Sequence, residues 1–387
     1  MTNVPSASAR PIKILHLITG LGAGGAERQL AALALNSDPR QVRHEIVSLL
    51  DDGVWGAKLR AAGITVHTIG LARKWTAPLA LPRLARLCRQ SQADIVQTWL
   101  YHADLAGLAV GALTGRPVVW TLRGSNLRLD IYGLETRLLV RLLTGLSRFP
   151  NVIVANAAEG ERWHRAIGYR ARRWAVIPNG IDCDAFRPDP ATRESVRREL
   201  GLPGDAALVG NISRHDPMKD HPTLLAAFHS VADRAWLLLA GDGTGADNQT
   251  LDHQIATARI ASARVLRLGA RSDIPRLLAA LDVAVLSSLF GEGFPNVVAE
   301  AMACGIPSIG TDIGGTAGII GDCGVVVPPG DPSALAAGIA RLLALEPGPR
   351  ADLASRSRAR IEKEFSVPAM VAAYARLYDD LLGQPRT

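Results

Sequence analysis

Leu289-Phe-Gly-Glu-Gly-Phe-Pro-Asn-Val-Val-Ala-Glu-Ala-Met-Ala-Cys-Gly-Ile-Pro307 is the stretch on which the reading of this chain depends. Pro295 is expected as the first residue of a helix, and Gly305 followed by Pro307 is a stop signal. Glu292 then sits in a glycine-flanked loop just ahead of the helix, with Glu300 about a turn and a half inside it. At ~1.5 Å per residue, the helix start and Glu300 are roughly 7.5 Å apart along the axis. Asn296 and Glu300, four apart, share one face, among the apolar side chains of Val297, Val298, Ala299, Ala301 and Met302. A buried carboxylate in so apolar a helix needs a hydrogen-bond partner. The free amides at the helix start, beside Glu292, attract an anion such as a phosphate. A plainer reading stays open on these residues alone: Glu292 complements the helix dipole and Glu300 meets a backbone donor.

The pattern Glu-x7-Glu, set in Gly-Glu-Gly-Phe-Pro-x-x-x-x-Glu-Ala-Met-Ala-x-Gly-x-Pro, resembles the donor-site signature of the retaining GT-B glycosyltransferases of family 4. The resemblance implies that Glu292 touches the donor sugar and that Glu300 holds the ribose hydroxyls of the nucleotide. Phe294, Pro295, Asn296 and Val297 would complete that donor wall.

The chain has 387 residues, enough for two domains with separate cores, and a composition ordinary for a soluble α/β protein, with 48% hydrophobic and 20% charged residues. Ile14 to Ile18 is too short for a signal-peptide core and reads as a first strand, after a polar start expected to fray. No uninterrupted apolar run reaches the ~18 residues of a membrane span. Cys88, Cys183, Cys304 and Cys323 are far apart, which suits reduced thiols in a cytosolic protein and argues against a zinc site. Residues 1–190 carry 24 Lys and Arg against 14 Asp and Glu, a net +10, whereas residues 191–387 carry 19 against 22, a net −3. Attraction to an anionic partner therefore belongs to the first half.

Lys13 to Ile18, then Thr-Gly-Leu-Gly-Ala-Gly-Gly25, then Ala26 to Leu35 reads as strand, glycine loop and helix, the opening of a Rossmann-like unit. The spacing is not Gly-x-Gly-x-x-Gly, and the alternative is that Gly24 and Gly25 only permit a tight turn. Gly-Gly-Ala-Glu-Arg resembles the family loop that faces the donor diphosphate. Strands are expected at His44–Leu50, Thr65–Ile69, Ile95–Trp99, Val118–Leu122 and Val152–Ala155, with helices such as Trp55–Ala62 and Leu79–Gln90 between them. That alternation predicts a doubly wound, mostly parallel sheet, whose ligands gather at the carboxyl ends of the strands. Two such ends stand out: Trp99-Leu-Tyr-His-Ala-Asp104 and Thr121-Leu-Arg-Gly-Ser-Asn126. His102, with Asp104 near it, is a candidate general base or acceptor-binding group, the alternative being a local hydrogen bond at a helix start. Many family members carry a His in the loop corresponding to residues 121–126. This chain has Arg123, Gly124 and Ser125 there, and Arg123 and Ser125 are taken as acceptor-binding candidates. Leu134–Phe149 with Arg137, Arg141 and Arg148, Arg73-Lys74-Trp75, the Arg83, Arg86 and Arg89 ladder, and Arg170 to Trp174 form a basic, tryptophan-bearing surface. It suits anionic headgroups or a lipid-linked pyrophosphate acceptor, although any single Arg can be a solvated side chain.

Val176 to Pro190, rich in Pro, Gly and Asp, reads as the connection between domains; its Pro-Asn-Gly-Ile-Asp-x-x-x-Phe also resembles the family. In the second half, Ala207–Ser213 reads as a strand that delivers Arg214 and Lys219 just past its end. Fixed cations there would stabilise the charge of a departing nucleoside diphosphate. A surface pair neutralised by Asp216 and Asp220 is the alternative; the Arg-x4-Lys spacing resembles the family's diphosphate clamp. Gly241, in the turn after Trp236–Ala240, reads as a wall of the nucleotide pocket, and the resemblance implies that the segment Val265–Arg271, with Arg271 at its end, meets the base. Where relatives commonly carry a Glu three residues beyond the second glycine of Ile309-Gly-Thr-Asp-Ile-Gly-Gly315, this chain has Gly318.

The expected architecture is α/β of the GT-B type, with two Rossmann-like doubly wound domains facing each other across a cleft. Residues 1–178 would form the acceptor domain, completed by a C-terminal helix at 367–387. Residues 191–366 would form the donor domain, and 179–190 the linker. The resemblance implies a retaining glycosyltransferase that moves a hexose-type sugar from a nucleotide diphosphate sugar to a glycan or lipid-linked saccharide acceptor. The setting would be polysaccharide or lipopolysaccharide-type biosynthesis, in the cytoplasm and peripheral on the inner face of the plasma membrane. Catalysis is expected from Arg214, Lys219, Glu292 and His102. No metal is expected, nor another cofactor. The alternatives are a GT-B nucleotide-sugar epimerase and a non-catalytic, membrane-associated partner of a polysaccharide assembly system. Nucleic-acid binding fits the pI of about 9.6 but no recognised motif.

Overall fold

The computed structural model describes residues 10–71, 80–125 and 133–383. Within them the alternation resolves into two parallel sheets. The first is built from β1 (Ile12–Ile18), β2 (Val42–Ser48), β3 (Thr65–Thr68), β4 (Ile95–Trp99), β5 (Val118–Leu122), β6 (Val152–Ala155) and β7 (Trp174–Val176), in the order β3-β2-β1-β4-β5-β6-β7. The second is built from β8 (Ala207–Ile212), β9 (Ala235–Ala240), β10 (Val265–Gly269), β11 (Val283–Leu286), β12 (Ser308–Thr311) and β13 (Gly324–Val327), in the order β10-β9-β8-β11-β12-β13. Strands such as β4, β5 and β11 are buried along their whole length, which is why they read as apolar runs without alternation.

Helices α1 (Gly25–Asn36), α2 (Gly56–Ala61), α3 (Leu81–Gln90), α4 (Tyr101–Thr114), α5 (Leu134–Leu146) and α6 (Ala158–Ala166) serve the first sheet. The second has α7 (Pro190–Glu199), α8 (His221–His229), α9 (Gln249–Thr257), α10 (Ile274–Ala279), α11 (Asn296–Ala303), α12 (Thr316–Ile320) and α13 (Pro332–Leu343). Then α14 (Pro347–Glu364) and α15 (Val367–Leu382) follow. The expected strand at His44–Leu50 lies two residues earlier, because Val42 and Arg43 pair with Ile12 and Lys13 despite their mixed polarity. Pro295 precedes α11 as its cap, one residue outside the helix it was expected to begin.

In each sheet the strand order reverses at one place, between β1 and β4 and between β8 and β11. Crevices open at the carboxyl ends of strands at such switch points. The loops after β1, β4, β8 and β11 therefore converge on one cleft, and they carry Gly24, Leu100, Arg214 and Glu292.

The chain crosses twice between the halves, and the crossings are stitched together. The Ile181 amide donates to the Phe365 carbonyl at 2.7 Å, and the Val367 amide to the Ile181 carbonyl at 3.0 Å. Gly180 lies so close that an added Cβ would come within 2.8 Å of the Val367 backbone. Beyond this stitch α15 returns to the first half, where Met370, Tyr374, Leu377 and Tyr378 join Ile14, Ile18 and Trp99 in one apolar core.

Candidate functional site

The cleft between the halves has a volume of about 490 Å³. Its first wall consists of Gly25, Ala26, Glu27, Leu100, Arg123, Asn156 and Asn179; its second consists of Ile212 to Arg214, Met218, Lys219 and Gly291 to Val297.

Lys219 is held by a chain of local caps. The Asp216 carboxylate accepts from the Met218 amide at 2.8 Å, forming a single tight turn over Pro217–Lys219. Burial works against its ionisation, but the Met218 amide and the Arg214 guanidinium outweigh it and hold the Asp216 carboxyl below its ordinary range. Asp220 follows in the left-handed region, at φ 49°, and caps α8. Two bonds then tie this turn to the end of β11: the Ser287 hydroxyl donates to the Lys219 carbonyl at 2.7 Å, and the Leu289 amide to the Met218 carbonyl at 2.8 Å. The Lys219 ammonium comes 2.5 Å from Glu292 Oε1, which also accepts from the Ser288 hydroxyl at 2.6 Å. Glu292 is only 6% exposed, so this pair is largely desolvated. Arg214 pairs through Nε with Asp216 at 3.1 Å but leaves its side chain 55% exposed at the cleft.

The Glu292 backbone is fixed from two directions. Gly314, at φ 58°, packs against it so closely that a Cβ would fall 2.1 Å from the Glu292 carbonyl oxygen. From the opposite half, the buried Ser125 hydroxyl donates to that same carbonyl. Ser125 was expected to meet an acceptor; its hydroxyl is instead spent on this bond between the halves.

Asn296, in the first turn of α11, accepts from Asn179 Nδ2 at 2.8 Å, and Asn179 Oδ1 accepts from Arg123 Nη1 at 2.6 Å. Arg123 also donates to the Tyr374 hydroxyl at 3.1 Å and lies over the Trp99 ring at 4.2 Å. Burial pushes its guanidinium down from the ordinary value. Gly25 faces Asn296, at ordinary contact distance for an added Cβ, so the first glycine loop does reach the second half. Glu300, buried on the next turn of α11, is engaged by Arg28 of α1. Gly24 caps α1. Phe294 packs on Phe365, with ring centroids 5.5 Å apart, while Pro295 and Val297 line the cleft.

Other expected site residues lie elsewhere. Arg271 turns its guanidinium to Asp273 at 2.7 Å and to Glu199 at 3.4 Å, an ion-pair set on the second half's surface. Gly241, at φ 144°, backs the Arg214 turn: a Cβ there would fall 2.3 Å from the Ser213 carbonyl. Neither lines the cleft. His102 occupies the first turn of α4, 3.4 Å from Glu135 of α5, and is not part of the cleft wall. Asp104 does not assist it, since that carboxyl is fully buried and bound by the Thr98 hydroxyl at 2.5 Å. Burial pushes Asp104 well above its usual range. The position where relatives carry a Glu, Gly318, faces open space, and its carbonyl accepts from Arg360 at 2.7 Å. Asn156 and Asn179 line the cleft without having been singled out as site residues in the sequence, while Arg28 and the buried Tyr374 stand behind it, on Glu300 and Arg123.

The expected basic surface is partly spent locally. Arg83, Arg89 and Arg172 donate to backbone carbonyls, and Arg173 pairs with Asp380. Arg73, Lys74, Trp75 and Asn126 lie outside the described residues. On α5, by contrast, Leu134, Leu138 and Leu142 form an outward stripe at 68%, 56% and 49% exposure. No helix among the described residues is long and apolar enough to cross a membrane. The described His, Cys, Asp and Glu side chains form no group of three placed to hold a metal ion.

Two family models cover most of the chain: one described as Glycosyl transferases group 1 matches residues 205–345, and one described as Glycosyltransferase Family 4 matches residues 23–185. EpsF of Bacillus subtilis (strain 168), named as a glycosyltransferase, is 26% identical over 325 residues, 78% of this chain and 79% of that protein. TuaC of the same strain, named as a teichuronic acid biosynthesis glycosyltransferase, is 28% identical over 276 residues, 69% of this chain and 67% of TuaC. Among solved structures, HepE of Anabaena in complex with UDP-glucose superposes with a TM-score of 0.82 at 26% identity, over 95% of this chain and 100% of HepE. The two facing parallel sheets, the cleft and these matches agree, and the chain belongs to the group 1, family 4 glycosyltransferases of GT-B fold.

Proposed function

We propose that the cleft binds a nucleoside diphosphate sugar and transfers its hexose, with retention at the anomeric carbon, to a hydroxyl of a glycan or lipid-linked saccharide acceptor. The observation that carries this reading is the Lys219–Glu292 pair, which lines the cleft together with Arg214. Two cations suited to a diphosphate and one carboxylate suited to sugar hydroxyls stand side by side, where the phosphate–sugar junction would lie. HepE was crystallised with UDP-glucose and TuaC is named for teichuronic acid biosynthesis, which support a nucleotide-sugar donor and a polysaccharide setting.

In the proposed reaction Arg214 and Lys219 neutralise the charge that grows on the departing diphosphate. The bond between the anomeric carbon and the phosphate oxygen breaks, and the acceptor oxygen bonds to the same face of the sugar. The acceptor proton passes to the departing phosphate oxygen. Glu292, relinquished in part by Lys219 as the diphosphate arrives, positions the sugar and faces the positive charge of the oxocarbenium-like transition state. Glu300 holds the ribose in exchange for its Arg28 contact. Closure of the two walls excludes water, the competing acceptor. His102, two residues beyond the cleft-lining Leu100, is assigned to the acceptor side and not to bond breaking. The leucine stripe of α5, flanked by Arg137 and Arg141, is assigned to an anionic membrane surface that presents the acceptor.

Thermal stabilisation by UDP, GDP and ADP, on wild type and Glu300→Ala, tests the donor site. A bound ligand at ~100 times its dissociation constant adds about 2.7 kcal/mol. One diphosphate stabilising the wild type far more than the variant is expected; no stabilisation by any of the three would sink the reading.

A further inference from the structure

We propose that Arg123 reads a negative charge on the transferred sugar, so that the donor is a nucleoside diphosphate uronate, a sugar bearing a carboxylate, in preference to its neutral counterpart. This rests on the reading of Glu292 as the sugar-positioning carboxylate.

Three cations line the cleft among the described residues, and two have carboxylate partners: Arg214 with Asp216 and Lys219 with Glu292. Arg123 has none. Its contacts are the Asn179 amide oxygen, the Tyr374 hydroxyl and the Trp99 ring, all uncharged. Of its five N–H groups two are used, and Nε is buried without a partner. A desolvated guanidinium without a counter-ion is costly unless an anion completes it.

Its position selects the sugar over the diphosphate. Gly293, next to Glu292, is packed so tightly on Arg123 that a Cβ would lie 2.6 Å from the Arg123 carbonyl and 2.9 Å from Asn156 Oδ1. The Arg123 backbone therefore stands against the loop that carries Glu292, and the residue lines the cleft on the wall opposite Arg214 and Lys219. Asn156, 3% exposed, adds an acceptor there, its Oδ1 being unpartnered. A planar donor fork and an unpartnered acceptor on the same cleft wall suit a carboxylate and a ring hydroxyl, and Arg binds carboxylates in the two-pronged geometry that Lys lacks.

The test is calorimetric titration of wild type, Arg123→Met and Arg123→Lys with UDP, UDP-glucose and UDP-glucuronate, and with GDP, GDP-mannose and GDP-mannuronate if UDP does not bind. Wild type should bind the uronate ~10- to 100-fold more tightly than the neutral sugar, the ratio should fall to about threefold or less in Arg123→Met, and Arg123→Lys should recover part of it. A wild type that favours the neutral sugar overturns the proposal. So does Arg123→Met weakening the bare diphosphate and both sugars equally, which would put Arg123 on the phosphates. If neither nucleotide series binds wild type, the donor-site reading fails and this proposal falls with it; if the diphosphates bind without a uronate preference, only this proposal falls.

Discussion

Replacing Lys219 with Met separates the two roles given to the buried Lys219–Glu292 pair. With the charged atoms 2.5 Å apart, Coulomb's law at an effective dielectric of about 20 gives a gross attraction of roughly 7 kcal/mol, much of it offset by desolvation of both ions. Removing the lysine alone leaves Glu292 buried, with the Ser288 hydroxyl as its remaining side-chain partner. Breaking a buried pair in this way costs about 3–5 kcal/mol. For a half of this size that lowers the melting temperature by roughly 6–20 °C. Lys219→Met with Glu292→Gln removes both charges, and its stability should return to within ~1 kcal/mol of wild type. Activity should not follow stability. Loss of one electrostatic contact to the departing diphosphate costs about 10²–10³ in kcat in the single variant, and at least as much in the double, which also removes the Glu292 carboxylate. Calorimetric unfolding and the rate of nucleoside diphosphate release from the donor measure the two quantities on the same samples. A single variant with wild-type turnover would refute the clamp, and additive stability losses in the double variant would refute the pairing.

Gly314→Ala forces a Cβ toward the Glu292 carbonyl at φ 58°, so it should cost about 2 kcal/mol or more and slow transfer by displacing Glu292; unchanged melting and turnover would show that the loop yields freely. His164 and His221 are held neutral by burial, each at about 4 against an ordinary 6.5. The unfolded chain binds those protons first, so stability is full above about pH 6.5 and falls as pH drops toward 4, by roughly 3 kcal/mol at most for each. Melting temperatures between pH 7.5 and 5 should decline accordingly, and a flat profile would contradict the burial of these rings. Leu138→Glu should abolish sedimentation with phosphatidylglycerol vesicles while leaving nucleotide binding intact; sedimentation equal to wild type would remove α5 from the membrane surface.

What the sequence disclosed was local. Glu292 and Glu300 were placed by glycine and proline punctuation within a 19-residue stretch, and Arg214 and Lys219 by their position just past the end of a strand. The apolar strands could be located because burial on both faces leaves them no alternation to lose. The rest depended on partners far along the chain. Glu300 was read without Arg28, which lies 272 residues earlier and which the sequence tied to the glycine loop alone. Arg123 lost its isolation only when Tyr374, 251 residues later, folded back on it. Arg271 was read without Asp273 and Glu199, which hold its guanidinium. Periodicity and spacing carry no trace of these competitions, because they are settled by tertiary packing.

The return of α15 to the first half has a consequence for how the molecule is made. β1 to β7 are complete once Val176 has been synthesised, but the helix that covers Trp99, Ile14 and Ile18 begins only at Val367. At ~5–20 residues per second, that apolar face waits on the order of 10–40 s for its lid. Throughout that interval the second sheet is emerging from the ribosome beside an unfinished neighbour. The first half is therefore the part most exposed to chaperones and to misassembly during translation. Its late partner brings Tyr374 with it, so Arg123 acquires its last contact only when nearly the whole chain has been released.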